Sequence, residues 1–241
     1  MLRSRPLRFT DAFDDWTALL EALGFQRSIE APGWHVFDSA QGRVALHAAS
    51  GSTEKAGTTR LAFEVGDLDE FARRTEEAGT RAVITEEAHG RTATMTGPDG
   101  IAFTADPETT GPLPGTDPGM HVLQLWVTPD TAGATTALQS IGARLEVVSE
   151  TGGWAQLRAR NGGLAAVHTG VDPRIDLSFE YDGDAGLLLA RLLGAGLDAH
   201  LVDESYGRTV KVADPDGGED LWITEKQRDL YGYRLVDVPT D

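Results

Sequence analysis

The sequence predicts an α+β protein of four βαβββ units, arranged as two tandem halves. Three observations carry this: a long repeat with a period of about 118 residues, a shorter one of about 55 inside each half, and a strand–helix–strands order within each unit. In the long repeat, Phe9-Thr10-Asp11 with Leu20 and Leu23-Gly24 returns as Val127-Thr128-Pro129 with Leu138 and Ile141-Gly142. Gly33-Trp34 returns as Gly153-Trp154, and Arg43 to His47 as Leu164 to His168. Gly90-Arg91-Thr92 followed by Pro98-Asp99-Gly100 recurs at identical spacing as Gly207-Arg208-Thr209 and Pro215-Asp216-Gly217. The short period shows as Asp11 to Gly24 recurring as Asp67 to Gly79.

The second unit shows the plan most clearly. Leu61, Phe63 and Val65 alternate with Arg60, Ala62 and Glu64, the period-2 pattern of a half-buried strand. Asp67 is a helix N-cap with Glu70 three residues on, the spacing of a capping box, and Gly79 ends the helix. Short strands follow over 81–85, 92–96 and 101–105, with Pro98-Asp99-Gly100 as a turn. The boundaries read as a first half over 1–108, split near 56, a Pro/Gly/Thr-rich linker over 109–119, a second half over 120–228, split near 171, and a tail over 229–241.

Composition narrows the function. Lys plus Arg number 21 against 38 Asp plus Glu, a formal charge of -17 that repels phosphate backbones and anionic membranes, so neither nucleic acid nor a membrane is the expected partner. The absence of cysteine excludes disulfides, thiolate metal sites and cysteine nucleophiles, and fits a reducing cytoplasm. The expectation is an unexported cytoplasmic protein, because the N-terminus lacks an apolar signal core and the longest apolar stretch, Gly186 to Leu197, carries Arg191. No Walker A, GxGxxG, GxSxG or HExxH pattern occurs. Asp214-Pro215-Asp216-Gly217 lacks an EF-hand's fifth-position ligand, since Gly218 stands there, and reads as a turn.

The four-fold βαβββ plan, the Asp67-Leu68-Asp69 helix start and the Gly-Arg-Thr with Asp-Pro-Asp-Gly set together resemble the vicinal oxygen chelate superfamily. That group includes glyoxalase I, bleomycin-resistance proteins and extradiol dioxygenases. The resemblance covers about residues 4–107 and 120–226. It implies two glyoxalase-like domains whose mixed sheets curl around cups, with a divalent metal held by His and Glu on first and last strands in the enzyme members.

Tested position by position, that ligand set is incomplete. If apolar residues of the first strands face the helices, Leu7 and Phe9 are core and Ser4, Pro6 and Arg8 face the cup. Likewise Leu123, Leu125 and Val127 are core, and Val122, Gln124 and Trp126 face the cup, which leaves His121 on the wrong side. The resemblance places the metal-binding histidines at Ser4, Arg60 and Val122, none of which can serve, and at Asp176, which can. On the last strands it offers His47, Thr104, His168 and Trp222 or Thr224. The expected metal is therefore none, with His121, His168 and Asp176 as the only candidates for a two-His-one-carboxylate centre. Otherwise the histidines are hydrogen-bonding or solvated sheet residues.

The remaining cup residues are aromatic and charged: Arg8, Trp34, Arg60, Glu64, Trp126, Trp154, Asp176, Glu180 and Trp222. Indoles beside carboxylates suit a planar or cationic guest, although tryptophans also simply fill sheets. The expected function is metal-free sequestration of an aromatic or cationic drug or natural product, in the manner of the bleomycin-resistance branch. Two alternatives stand beside it: a divalent-metal lyase, isomerase or dioxygenase using the second half, with Glu180 as a base, and a metal-free tailoring enzyme. The chain is expected to work as a monomeric pseudo-dimer or as a homodimer.

Overall fold

A computed structural model describes residues 1–87, 90–108 and 113–236, so parts of the expected linker and tail, 109–112 and 237–241, lie outside the described residues. The first unit runs through β1 (Arg3–Ser4), β2 (Leu7–Thr10), α1 (Phe13–Ala22), β3 (Gln26–Ala31), β4 (Trp34–Asp38) and β5 (Arg43–Ala48). The second comprises β6 (Thr59–Arg60), β7 (Ala62–Val65), α2 (Leu68–Glu77), β8 (Ala82–Glu87), β9 (Gly90–Thr96) and β10 (Ala102–Pro107). The third is β11 (Met120–Thr128), α3 (Thr131–Ser140), β12 (Arg144–Ser149), β13 (Trp154–Arg158) and β14 (Leu164–Thr169). The fourth is β15 (Arg174–Tyr181), α4 (Ala185–Gly194), β16 (Ala199–Glu204), β17 (Gly207–Val212) and β18 (Leu221–Glu225), after which β19 (Tyr233–Leu235) ends the described chain.

Each unit is βαβββ, and the mixed α+β architecture is the one the repeats predict. Asp67 caps α2 by accepting from the Glu70 N–H at 2.9 Å. The reciprocal half of the capping box does not form, because Arg73 and Arg74 engage the Glu70 carboxylate instead. No helix among the described residues is long and apolar enough to cross a membrane.

In the second half the antiparallel pairing of β11 with β15, from Met120↔Tyr181 to Val127↔Arg174, is the centre of one nine-stranded sheet. Its order is β16-β17-β18-β15-β11-β14-β13-β12-β19. The first half repeats that central crossing, with Arg3↔Glu64 and Ser4↔Phe63 on one side and Leu7↔Arg60 and Arg8↔Thr59 on the other. Pro6 has no N–H to give the ladder, and the sheet divides there into β1-β7-β10-β9-β8 and β3-β4-β5-β2-β6.

The helices lie between the sheets of the two halves and build two cores that cross the chain. Trp16, Leu19 and Leu20 of α1 share a core with Leu188 and Leu192 of α4, and with Val122 and Phe179. Phe71 and Ala72 of α2 share the other with Ala134 and Leu138 of α3, and with Phe63 and Trp126. The Pro-Asp-Gly turns dock one half on the other. Trp16 donates its indole N–H to Asp216 at 2.9 Å, and Trp126 donates to Asp99 at 2.8 Å. Gly97 makes the second dock possible, because a Cβ there would stand 2.3 Å from the Trp126 ring.

Candidate active or ligand-binding site

Directly opposed residues of an antiparallel pair share a face, so the register assigns each strand's cup side. On β15, Asp176, Ser178 and Glu180 face the cup as expected, and opposite them on β11 stand Leu125, Leu123 and His121. The alternation assigned to β11 from sequence is therefore inverted. Leu123, Leu125 and Val127 line the cup, whereas Val122 and Trp126 pack in the cores and Gln124 is buried against Ser4 and Ala62 of the first half. A strand buried on both faces is apolar on both, and its pattern does not say which side is which.

The first half shows the same inversion. Phe9 meets His47 and carries the Arg60 guanidinium over its ring on the cup side, while Arg8 and Ser4 turn away. Arg8 is gripped by the second half: its Nε donates to Asp216 at 2.8 Å and its Nη2 to Asp214 at 2.6 Å, and Thr10 adds a bond to Asp216 at 2.5 Å. Its outer edge reaches the rim of the second cup through Asp214.

Charged side chains fill the first cup. Glu64, 4% exposed, receives Arg43 at 3.0 Å, Arg3 at 3.5 Å and Arg5 at 3.6 Å. Arg43 also binds Asp38 at 2.7 Å, Arg3 pairs with Glu108, and Arg5 pairs with Asp106. Three guanidiniums and four carboxylates thus neutralise one another where a guest would sit. Trp34 is occupied too, with Arg5 over its ring and His47 against its edge, and Arg60 is exposed and bonded to Glu54. Glu64, Trp34 and Arg60 form structure here and do not line the larger cavity.

The second cup encloses about 910 Å³. Leu123, Leu125 and Val127 form an apolar wall, Trp154 and Trp222 stand on opposite sides, and Tyr206 and Tyr233 add aromatic surface. Trp154 meets His168 edge-on with centroids 6.0 Å apart, repeating the Trp34–His47 pair. Trp222, 38% exposed, has the Lys211 ammonium 4.2 Å from its ring centroid. The segment after β18 crosses the mouth to place β19 beside β12, with Leu230, Tyr233 and Leu235 facing inward.

Charge within this cup is uneven. Every lining cation already has a carboxylate: Arg144 and Arg158 on Glu146, Arg174 on Asp176, Lys226 and Arg228 on Asp182, and Arg8 on Asp214 and Asp216. Glu219 and Asp220 at the rim have no cationic partner among the described residues. Among the described residues Glu180, 9% exposed, accepts only from Gln156, at 3.3 Å onto Oε2, and its Oε1 has no hydrogen-bond partner.

His121 lies beside it, Nδ1 3.8 Å from Glu180 Oε1 and likewise without a partner. Burial raises the Glu180 carboxyl above its usual range. Burial, helped by Arg158 and Lys226, depresses the His121 imidazole to about 4, so the ring is neutral at pH 7. A histidine with a depressed folded pKa contributes stability that is complete above the ordinary value of 6.5 and is lost as the pH falls toward 4. Removing His121 should accordingly shrink the loss of melting temperature between pH 7 and pH 5 relative to wild type. Thermal denaturation of His121→Gln at the two pH values checks this, and an undiminished loss contradicts it.

The donors do not fit a metal centre. Among the described residues no group of three or more His, Asp or Glu side chains is gathered closely enough to hold an ion. Of the three candidates, Asp176 pairs across to Leu125 and His168 lies beside Val127, which puts His121 four and six residues away along β11, about 13 and 20 Å. Asp176 is held by Arg174 at 3.0 Å, with burial raising its carboxyl. Two leucines therefore stand where Asp176 would need co-ligands.

Sequence reasoning missed Glu146, Gln156, Arg158 and the crossing segment. The signal for two of these was present: Trp154, Gln156 and Arg158 alternate with the buried Ala155 and Leu157. Nothing in the tail's composition announced that it would pair with β12.

Against known structures the whole architecture has counterparts. A catechol 2,3-dioxygenase superposes with a TM-score of 0.58 at 17% identity, covering 94% of this chain and 87% of that one. The Mn(II)-bound glyoxalase from Novosphingobium aromaticivorans gives 0.61 at 15%, covering 98% and 82%. The 2,3-dioxygenase LapB from Pseudomonas sp. KL28 gives 0.63 at 13%, covering 93% and 91%. No protein-family model matches the sequence, and no curated protein does. The chain has the vicinal oxygen chelate fold, in the two-domain, glyoxalase-like form that the repeats imply.

Proposed function

We propose that this chain is a metal-independent small-molecule-binding protein whose guest, an aromatic molecule with a cationic group, occupies the second cup. The observation that carries the reading is the buried Glu180 carboxylate, unpaired in a cavity where every cation is already matched. A carboxylate taken out of water without a counter-charge costs stability, and a guest cation removes that cost. Trp154, Trp222 and the two tyrosines supply faces for the aromatic body. Glu219, Asp220 and the net charge of -17 favour cations at the approach.

Binding is mass action, with one guest per chain, since the first cup is filled by its own ion pairs. Titration with a planar acridinium dye, read by dye anisotropy, should saturate, and Trp222→Ala should weaken it by up to about tenfold, the range of a cation or ring against an indole. No saturable binding across dyes of different ring size counts against the reading. The competing reading is a divalent-metal enzyme, supported by the likeness to a Mn(II)-bound glyoxalase and to 2,3-dioxygenases. Elemental analysis of protein purified without chelator separates the two. Sub-stoichiometric metal is expected, and one manganese, iron or zinc per chain favours catalysis.

A further inference from the structure

We infer that His121 and Glu180 form a two-acceptor clamp for one nitrogen of the guest, an ammonium carrying at least two hydrogens. The inference rests on the cationic-guest reading and goes further by fixing the class of cation. Positive charge alone does not require His121. Geometry does: the two cross-strand neighbours present Glu180 Oε1 and His121 Nδ1 3.8 Å apart, both buried and both without a hydrogen-bond partner among the described residues. A nitrogen placed between them reaches each at about 2.8–2.9 Å, ordinary hydrogen-bond lengths.

Glu180 lines the cavity, His121 packs behind it, and among the described residues neither inner atom is bonded to a protein group. Gln156 donates to the other carboxylate oxygen of Glu180, so Oε1 is the free one. Thr224 stands beside Glu180 on β18. The charged groups facing the pair are occupied: Arg158 is held at 2.9 Å by both oxygens of Glu146, and Lys226 at 2.5 Å by Asp182. Neither swings in without abandoning a carboxylate. His121 is neutral, and with its ring proton on Nε2 it offers a lone pair at Nδ1. One carboxylate and one imidazole acceptor match an amine that donates twice, and a quaternary ammonium donates nothing.

The test is a calorimetric titration of the intact chain with 1-naphthylmethylammonium and with its N,N,N-trimethyl analogue, equal in charge and ring. The primary ammonium should bind at least about tenfold tighter, the worth of one charge-assisted hydrogen bond. In His121→Leu that preference should fall toward unity, while His121→Gln, which keeps an acceptor, should retain most of it. Equal affinity of the two cations for wild type overturns the clamp and leaves the cationic-guest reading standing. Failure of both to bind overturns the clamp and that reading together. A preference undiminished in a folded His121→Leu assigns the selectivity elsewhere and also overturns it.

Discussion

Replacing Glu64 with Ala should lower stability by about 3–5 kcal/mol, and the melting temperature by about 10 °C. Glu64 is the shared partner of Arg3, Arg5 and Arg43, all nearly inaccessible to water. Truncating it leaves guanidinium charge desolvated beside the remaining Asp38, Asp106 and Glu108, which are already engaged. An isolated pair in water is a useful contrast. Glu54 binds the exposed Arg60, and Glu54→Ala should cost less than about 1 kcal/mol because solvent screens that interaction. Denaturant melts of the two variants decide the matter. A Glu64→Ala variant as stable as Glu54→Ala would show that the first cup is wet and open, and the one-guest stoichiometry would go with it.

Glu180→Gln should weaken binding of an aromatic ammonium by about ten- to a hundredfold, since it removes a charge-assisted bond in a desolvated place. The same change should not lower stability, because an unpaired buried carboxylate becomes a neutral amide of the same shape. That opposite movement separates a binding residue from a structural one. Affinity from calorimetry and melting temperature from the same preparations provide the two readings. Lost stability together with lost affinity would assign Glu180 to the fold, as Glu64 is assigned.

The fold was legible because repetition is: the Pro-Asp-Gly turns, the Asp67 cap and the strand alternation after it recur or stand clear in one sequence. The site was less so, for identifiable reasons. On β11, Leu123 and Val122 are equally apolar, one lining a cup and the other a core, and alternation cannot rank two buried faces. On β2, Arg8 reads as a cup residue because its neighbours Leu7 and Phe9 are apolar and claim the helix side, and what permits the reverse is Asp214 and Asp216, more than two hundred residues away in sequence. The same holds for Arg3, Arg5, Asp38, Arg43 and Glu64, whose charges cancel only after folding brings them together. Glu180 and Asp176 share a face of β15 that the sequence does mark, because Leu177 and Phe179 are unmistakably core between them.

The most direct measurement compares two guests of the same ring and similar size, the cation 1-naphthylmethylammonium and the neutral 1-naphthylmethanol, titrated calorimetrically into wild-type protein. The cation should bind at one site per chain, at least about tenfold tighter than the alcohol. Equal affinities, or two sites per chain, would contradict the assignment of an unpaired carboxylate in a single open cup.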